Sequence, residues 1–341
     1  MADIRIAVFG AGENTRTQHI PNLLKIPGVE LIGICNRSRE SSERVAKQFG
    51  FKKTYANYRE LVADAEINAV VIGTWPYMHC PVTVAALNAG KHVSCEARMA
   101  LNAAEAHAMR DASRQHPELI AQVVPSPFTL RVDKTIQKLI ASGAIGEVLA
   151  VEIRGGGAFL NREAAQTWRQ NFDYSGYNIM SLGIWYEALM RWVGEAVNVS
   201  AAGKVFQKVR KDEAGSPKAI RIPEHVDVVA DLACGAQLHL QISSVTGLSG
   251  PAEAFIFGSE GTLRFSQNKL FSGKRGETEL RDVAVAAADE GRWRVEEEFV
   301  NAIRGQEPIT RTTFDDGVKY MEFTEAVTRS MQSGARVSLP L

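Results

Sequence analysis

The sequence predicts an α/β protein of two domains: a doubly wound parallel sheet, then an α+β domain with a large, open, mostly antiparallel sheet. The chain has 341 residues, which is more than one hydrophobic core usually supports. Short β-branched runs alternate with amphipathic helical stretches from residue 4 to about 122, as in parallel sheets. After residues 125–127 (PSP) the strands show period-two alternation instead. We therefore expect a first domain at 1–124 and a second at 125–341.

Five strands of the first domain are predicted from continuously apolar runs. Strands of a parallel sheet are covered by helices on both faces, which explains why these runs do not alternate with polar residues. The strands are expected at 4–9, 29–35, 69–73, 92–95 and 120–124, with helices between them.

The second domain is predicted to begin with a helix at 133–142 that ends at Gly143. Most of the remaining segments have strand character. The strands are expected at 148–154, 197–206, 227–234, 236–243, 252–257 and 261–265. Residues 258–261 (GSEG) are typical of a hairpin turn, and a last helix is expected at 317–333.

Composition and charge argue against several partners. The chain has 39 basic and 39 acidic residues and no long single-sign run, so neither nucleic acid nor a membrane surface is an expected partner. No run approaches the ~18 apolar residues of a membrane span. Cys35, Cys80, Cys95 and Cys234 are far apart, which predicts free thiols rather than zinc ligands or disulfides. With no signal-peptide pattern at the N-terminus, these features predict a cytoplasmic protein.

A glycine turn after the first strand predicts a dinucleotide site. In such a site the first glycine makes the tight turn, and the second lets the backbone approach the pyrophosphate at a helix N-terminus. Gly10 and Gly12 stand at these positions, and Thr15 stands where a third glycine is usual. We expect the helix to begin only near residue 18, after a longer loop in which Glu13 and Asn14 also contact the cofactor. A tight turn without a ligand is the alternative interpretation.

The end of the second strand favours NADP over NAD, although NAD stays possible. An Asp or Glu usually binds the adenosine ribose when NAD is used, whereas this chain has Asn36, Arg37 and Ser38. Without the carboxylate a 2′-phosphate is not repelled, and a guanidinium and a hydroxyl can bond to it. Alternatively, Arg37 only stacks on adenine and either cofactor is accepted.

Seven short stretches form a pattern that spans both predicted domains. They are 73–79 (GTWPYMH), 85–93 (AALNAGKHV), 140–148 (IASGAIGEV), 168–169 (WR), 175–176 (SG), 258–261 (GSEG) and 333–334 (SG). In this order they resemble the glucose-fructose oxidoreductase/inositol dehydrogenase (Gfo/Idh/MocA) family. The resemblance implies a two-domain oxidoreductase that passes hydride between a nicotinamide and a carbinol carbon, often of a sugar, cyclitol or related polyol. It also implies further cofactor contacts: Thr74, Trp75, His79, Glu96, Trp168 and Arg169.

The same resemblance implies three catalytic side chains, and this chain has none of them. The family's Glu-Lys-Pro motif corresponds to Glu96, Ala97 and Arg98, so alanine replaces the lysine. A family Asp and His, four residues apart on a helix, correspond to Ser181 and Trp185.

We expect the helix that carries Ser181 and Trp185 at 178–187, with both residues on one face. An aromatic wall and a hydroxyl then replace a proton relay. Asn178, Ser181 and Trp185 are the predicted substrate contacts.

Another group must take the proton of the hydroxyl, because alcohol oxidation needs a base and the reverse reaction needs an acid. Arg98 stays protonated and polarises a carbonyl rather than acting as a base. Tyr177 and Tyr186 flank the helix and offer phenolic protons, and Tyr177 shares the face of Ser181 if the helix starts early. Packing or substrate contact is an equally open role for both tyrosines.

The predicted function is that of an NADP-preferring oxidoreductase acting on a sugar-like or cyclic polyol substrate. A cofactor-binding sensor that has lost catalysis is one alternative. An enzyme that uses transient oxidation to drive elimination or glycoside cleavage is another. A homodimer or homotetramer is expected, because an uncovered sheet face favours pairing between subunits.

Several histidines and one acidic run have interpretations of their own. His79 is read either as shaping the nicotinamide loop or as a structural histidine. No metal site is predicted at His107, His225 or His239. The acidic run 296–298 (EEE) is interpreted as a solvated helix face.

Overall fold

The computed structural model describes residues 4–341, and these form two compact units. The first unit runs to Pro125 and also contains Arg294–Val318, and the second comprises Ser126–Trp293 and Lys319–Leu341. Residues 1–3, which the predicted first domain includes, lie outside the described residues. The predicted change of domain near residue 124 coincides with the end of the first continuous segment. Because Arg294–Val318 returns to the first unit, a single boundary does not describe the division.

The first unit contains a six-stranded parallel sheet in the order β3-β2-β1-β4-β5-β6. This is the order of a Rossmann fold, in which the strand order reverses between β1 and β4 and ligands bind at the carboxyl ends of the strands. The strands are β1 Ile4–Phe9, β2 Val29–Cys35, β3 Lys53–Thr54, β4 Ala69–Ile72, β5 His92–Cys95 and β6 Ala121–Val123. The predicted parallel α/β sheet is thus confirmed.

Helices connect these strands. A π-helical turn, Thr15–His19, continues into α1 Ile20–Leu23, and a 3₁₀ turn, Pro76–Met78, leads into α4. The other helices of the unit begin and end as follows: α2 Arg39–Phe49, α3 Tyr58–Ala63, α4 His79–Asn88, α5 Ala103–Gln115 and α9 Val295–Ile303.

Helix α9 belongs to the first unit because its apolar face completes the core of that unit. Phe299 and Val300 are fully buried in one cluster with Ile4, Ile6 and Val8 of strand β1. Burying such side chains stabilises a fold by roughly 1.5–3 kcal/mol each. This packing also fixes the polar residues at the start of α9.

The second unit contains a nine-stranded sheet in the order β16-β15-β14-β13-β7-β12-β11-β8-β17. Only the pairing of β7 with β12 is parallel, so the predicted mostly antiparallel sheet is confirmed. The strands are β7 Val148–Gly157, β8 Ala196–Lys204, β11 His225–Leu232, β12 Gln237–Gly247, β13 Glu253–Gly258, β14 Gly261–Ser266, β15 Lys269–Lys274, β16 Arg281–Asp282 and β17 Val337–Ser338. A separate hairpin pairs β9 Val209–Lys211 with β10 Pro217–Ala219.

The helices of the second unit include one whose start differs from the prediction. They are α6 Asp133–Ala141, α7 Phe172–Ser175 and α8 Leu182–Val193, with a 3₁₀ turn at Trp168–Gln170. Helix α10, Phe314–Ser333, begins in the first unit and belongs to the second from Lys319 onward. The predicted helix at 178–187 instead begins at Leu182. Met180 has φ +42°, which lies in the left-handed region and cannot belong to a right-handed helix.

None of the described helices combines the length and apolarity that a bilayer crossing requires. All four cysteines are free, with Cys35 and Cys95 buried and Cys234 exposed.

Candidate active site

The glycine turn joins the end of β1 to the first helix. Gly10 has φ +85°, and a Cβ there would lie 2.4 Å from Cγ2 of Thr74, so the protein itself requires glycine at this position. The situation at Gly12 is different, because a Cβ would approach only the carbonyl oxygen of Gly73, at 3.4 Å. Among the described residues nothing demands glycine at position 12.

The helix begins directly after the turn, and the expected long loop up to residue 18 is wrong. Helical structure starts at Glu13, and the amide of Arg16 donates to the carbonyl of Gly12 at 3.0 Å. The wide turn from Thr15 to His19 accommodates the extra residues as a π-helix. The helix N-terminus therefore faces the end of β1, where it can receive an anion.

Thr15 fills the position of the third glycine by packing rather than by facing a ligand. Its side chain is buried, and a Cβ on Gly73 would lie 2.0 Å from its hydroxyl oxygen. Thr15 and Gly73 thus hold the first helix close to the end of β4. Glu13 and Asn14 remain exposed, and Arg16, also exposed, directs Nε at the Gly12 carbonyl 3.4 Å away.

The residues at the end of β2 are organised by the start of α2. Asn36 accepts from the amide of Ala11 at 2.7 Å and donates to Ser41, which ties this strand end to the glycine turn. Ser38 is the N-cap of α2 and accepts from the amide of Ser41 at 3.2 Å. Arg37 is exposed beside it. The site thus presents a guanidinium and a helix N-terminus, both suited to a phosphate.

His79 links the loop after β4 to the loop after β5. Its Nδ1 lies 2.9 Å from the carbonyl oxygen of Arg98, and its Nε2 lies 2.9 Å from that of Thr74. Burial lowers the pKa of His79. This geometry favours the structural interpretation of His79, as a residue that shapes the loop carrying Thr74 and Trp75.

Glu96 stands at the end of β5 with both carboxylate oxygens engaged. One oxygen accepts from Nε2 of His19 at 2.8 Å and from the amide nitrogen of Asn14. The other accepts from the backbone amide of Ala97 at 3.0 Å. Burial would raise the pKa of Glu96, but the hydrogen bond and charge of His19 hold it below its usual range. Glu96 is therefore a fixed, ionised carboxylate.

His19 also contacts Glu296 of α9, which corrects the interpretation of residues 296–298 as a solvated face. Nδ1 of His19 lies 2.5 Å from Oε1 of Glu296, and Glu296 and Glu298 are both 4% exposed. Glu298 accepts from Gln122 at 2.9 Å. Of the three acids, Glu297 faces outward, 41% exposed, in an ion pair with Arg294.

Ala97 and Arg98 follow Glu96 at the end of β5. Ala97 carries no titratable group, and the adjacent Arg98 is 6% exposed. The carbonyl oxygen of Arg98 lies 2.9 Å from Nδ1 of His79, so its backbone is anchored beside the loop after β4.

In the second unit, Tyr186 is a packing residue, which corrects its assignment as a proton donor. Its ring stacks on Phe323 with centroids 3.6 Å apart. Its hydroxyl accepts from the amide of Ala196 at 2.8 Å, and burial raises its pKa. These contacts favour packing, the other role that the sequence leaves open for Tyr186.

Tyr177 and Ser181 do not share a helix face, because α8 begins after both. Ser181 is the N-cap of α8, and its carbonyl accepts from the amide of Trp185 at 3.0 Å. Tyr177 lies in the preceding turn, half-buried, and packs edge-on against Phe172. Asn178 is buried and donates to the carbonyl of Ser175 at 2.7 Å.

Trp185 packs against the nine-stranded sheet rather than lining an open wall. It is 3% exposed, with Phe128 at 5.2 Å and Phe265 at 6.3 Å between ring centroids. Its Nε1 would lie 3.4 Å from a Cβ on Gly155. Trp168 and Arg169, on a separate 3₁₀ turn, form a cation–π pair at 4.3 Å.

Within residues 4–341 no group of three potential ligands is arranged to hold a metal ion. His225 and His239 lie on adjacent strands and both approach Asp227, with Nε2 of His225 at 2.9 Å and that of His239 at 3.8 Å. These contacts place the three side chains together on one face of the sheet.

The first unit fits a nicotinamide dinucleotide in three respects. A Cβ at Gly12 would occupy space that the protein does not use. A helix N-terminus follows at once, where the first backbone N–H groups have no helical acceptor. The hydroxyl oxygen of Thr74 is buried and has no hydrogen-bond partner among the described residues. These features lie at the strand ends beside the β1/β4 reversal.

Sequence reasoning missed Arg16, His19 and Glu296. Arg16 and His19 lie one helical turn or more beyond the glycine turn. Because the sequence analysis places the start of the helix near residue 18, it does not indicate where their side chains point. Glu296 is 277 positions from His19, and no local pattern announces such a pair.

Comparison with known proteins gives the family. The model described as "Oxidoreductase family, NAD-binding Rossmann fold" matches residues 4–123, and that described as "GFO/IDH/MocA C-terminal domain" matches residues 134–264. An uncharacterized oxidoreductase of Rhizobium meliloti is 32% identical over 149 residues, which is 44% of each chain. D-glucoside 3-dehydrogenase of Escherichia coli is 21% identical over 98% of this chain and 97% of its own.

A solved structure agrees with the fold. Levoglucosan dehydrogenase in complex with NADH and L-sorbose matches with a TM-score of 0.86, 20% identity and 99% coverage of both chains. With both family models matched in sequence order and the Rossmann unit in place, the chain belongs to the Gfo/Idh/MocA family of oxidoreductases.

Proposed function

We propose that this protein is an NAD(P)-dependent dehydrogenase or reductase that transfers hydride between a nicotinamide and a hydroxyl or keto carbon of a sugar-like or cyclic polyol. The observation that carries the proposal is the contrast between Gly10 and Gly12. Gly10 is required by the fold, whereas the space beside Gly12 is left for a ligand. A pyrophosphate at the following helix N-terminus fills that space.

We propose NADP as the preferred cofactor. Support comes from Arg37, which is exposed, and from Ser38 at the N-terminus of α2. The carboxylate of Glu40 also lies in the first turn of α2 and bonds to Ser38, which weakens the attraction for a phosphate. NADH is bound in the levoglucosan dehydrogenase structure, so NAD is the competing cofactor to test.

The bound nicotinamide accepts or supplies the hydride, and the side chains of the protein must manage the proton. Arg98 is the proposed group that polarises a carbonyl, because a guanidinium stays protonated. Tyr177 is the proposed proton donor, since Tyr186 is committed to packing. Ser181, the N-cap of α8, and Asn178, in the turn before it, are proposed substrate contacts, together with Trp185 on α8 itself.

The substrate class is proposed from two relatives. A D-glucoside 3-dehydrogenase matches over nearly the whole length, and the levoglucosan dehydrogenase structure shares the fold. Both names denote oxidation of a carbohydrate hydroxyl. A sugar or polyol therefore has stronger support than other alcohols.

A homodimer or homotetramer is proposed from the outward face of the nine-stranded sheet. Val229 is 43% exposed between buried neighbours on β11, and Phe255 and Phe257 stack on the same outer side of β13 with Arg264 over Phe255. A broad face with apolar and paired charged side chains is suited to pairing with a second copy. Sedimentation equilibrium gives the mass, and a monomer at micromolar concentration would contradict this proposal.

The reaction is tested by the near-ultraviolet absorbance of reduced nicotinamide. Purified protein is mixed with NADP or NADPH and a panel of sugars, glucosides, anhydrosugars, cyclitols and their keto forms. We expect cofactor turnover with at least one carbohydrate. Tight cofactor binding without turnover across the panel would contradict the dehydrogenase assignment.

A second candidate is a cofactor-binding sensor, which the loss of the lysine at Ala97 favours. The Ala97→Lys variant separates the two. It should raise turnover if the ordinary reaction of the family is in place, whereas a sensor remains inactive. Ala97→Met, which has similar volume and no amine, is the matched control.

A further inference from the structure

Three side chains from distant parts of the chain meet behind the glycine turn. His19 lies between Glu96 and Glu296, with its ring nitrogens 2.8 Å and 2.5 Å from their carboxylate oxygens. Asn14 donates to Glu96, and Asn22 donates to Glu296 at 3.3 Å. The turn after β1, the end of β5 and the start of α9 are thereby joined in one polar network.

The geometry requires a protonated histidine. Both ring nitrogens face a carboxylate oxygen, and only an imidazolium donates from both. Burial opposes the charge, but hydrogen bonds to Glu296 and Glu96 raise the pKa of His19 to about 9. Two nearby buried carboxylates need this cation, because an uncompensated buried charge is strongly destabilising.

Glu96 is the most exposed of the three central side chains. The side chain of Glu96 is 14% exposed, whereas those of His19 and Glu296 are 1% and 5% exposed. Glu296 is linked to Glu96 through His19, so Glu96 is the member through which it can act on a ligand.

Glu96 lies on the nicotinamide half of the unit. In this fold the turn after β1 receives the pyrophosphate, and the end of β2 receives the adenosine ribose. Strand β5 lies on the opposite side of β1 from β2, so the group after it faces the other nucleoside. A fixed carboxylate there is suited to accept hydrogen bonds from ribose hydroxyls, as an acidic residue does at the adenosine end.

We propose that Glu296 is a positioning residue of the dinucleotide site, which acts through His19 to hold Glu96 ionised and aimed at the nicotinamide ribose. The inference deepens the proposed function and rests on it. Helix α9 then contributes to cofactor binding as well as to the core, although it lies near the other end of the chain.

The test compares Glu296→Gln with Glu297→Gln. Both remove one charge from the same turn of α9, but Glu297 is 41% exposed and forms an ion pair with Arg294. The dissociation constant of NADP⁺ is measured by isothermal titration at pH 7 and pH 9. We expect Glu296→Gln to weaken binding about tenfold, and more at pH 9, since His19 then loses its proton more easily. Glu297→Gln should bind as the wild type does.

Two results are decisive in different ways. Equal NADP⁺ affinity of wild type and Glu296→Gln at both pH values, with both proteins showing native circular dichroism, overturns the positioning role. A wild type that binds neither NADP⁺ nor NAD⁺ overturns the proposed function itself.

If Glu296→Gln does not fold, the proposal is tested on the wild-type protein instead. Histidine ¹⁵N resonances are followed by NMR, and His19 is recognised as the imidazole that stays protonated up to about pH 9. Addition of NADP⁺ should shift its resonances through Glu96. Unchanged His19 resonances at saturating NADP⁺ overturn the proposal.

Discussion

Replacing Gly12 with alanine should prevent dinucleotide binding without harming the fold, whereas the same change at Gly10 should harm the fold. The two positions are separated by one residue and differ in what surrounds them. A Cβ at Gly10 would lie 2.4 Å from Cγ2 and 2.8 Å from the amide nitrogen of Thr74. A Cβ at Gly12 would meet only ordinary contact, at 3.4 Å from the Gly73 carbonyl oxygen.

The magnitudes follow from these distances. At Gly10 the left-handed backbone costs a non-glycine residue about 1–2 kcal/mol, and overpacking against Thr74 adds about 1–3 kcal/mol. The free energy of unfolding should therefore fall by about 2–5 kcal/mol. At Gly12 neither penalty applies, so stability should change by less than about 1 kcal/mol. The new methyl group instead occupies the place of a phosphate, and affinity should fall at least tenfold, or about 1.4 kcal/mol.

The assay pairs two measurements on each variant. Urea unfolding followed by tryptophan fluorescence gives the stability, and titration with NADP⁺ gives the dissociation constant. Wild-type affinity in a well-folded Gly12→Ala protein would refute the placement of the pyrophosphate. A large loss of stability in the same variant would show that the fold, not a ligand, requires Gly12.

Four other substitutions, each of a single side chain, have expected outcomes. The pKa of His19 is raised from its ordinary 6.5 to about 9. Its contribution to the free energy of unfolding, on the order of 3 kcal/mol, is therefore complete below about pH 6.5 and is lost as the pH rises through about 9. Urea midpoints of the wild type should fall over that window while those of His19→Gln stay flat, and parallel curves would contradict this expectation. Arg37→Ala should reduce the preference for NADP over NAD by about tenfold, measured as the ratio of the two dissociation constants, and an unchanged ratio would show that Arg37 does not contact the 2′-phosphate. Tyr186→Phe should lower the free energy of unfolding by about 1–3 kcal/mol, because the buried amide of Ala196 loses its acceptor, and should leave NADP⁺ affinity unchanged. Tyr177→Phe should lower turnover with little change in stability. The opposite pattern would return Tyr186 to the catalytic candidates.

The elements that could be predicted from sequence are those whose pattern is local. Strands β1, β2, β4 and β5 are mostly apolar because both faces of the sheet are covered, and such a run of four to seven residues is visible without knowledge of its neighbours. The glycine turn is equally local, since Gly10 must adopt φ +85°. The hairpin turn at 258–261 was likewise correctly placed between β13 and β14.

Other features depend on contacts that no local pattern carries. Glu296 resembles its exposed neighbour Glu297 in sequence, and only the packing of Phe299 and Val300 turns it toward His19. The late start of α8 depends on the left-handed conformation of Met180, a conformation that methionine rarely adopts.

The candidate catalytic residues show the same limit. Tyr186 and Tyr177 are alike in sequence, but stacking on Phe323 commits one of them to packing. Trp185 aligns with a catalytic histidine in the resemblance, yet its ring lies against Phe128 and Phe265. The absence of the family's three catalytic side chains stays a prediction from the resemblance, and the structure adds the surroundings of each candidate replacement.

Hydride transfer to a carbohydrate is tested most directly with an isotope label on the cofactor. NADPH carrying deuterium at the transferable C4 position is incubated with the protein and a panel of keto sugars, and the products are analysed by mass spectrometry. The proposed function predicts a carbohydrate product heavier by one mass unit, with the label on the former carbonyl carbon. A protein that binds NADPH but places no label in any carbohydrate would contradict it and leave the sensor as the better explanation.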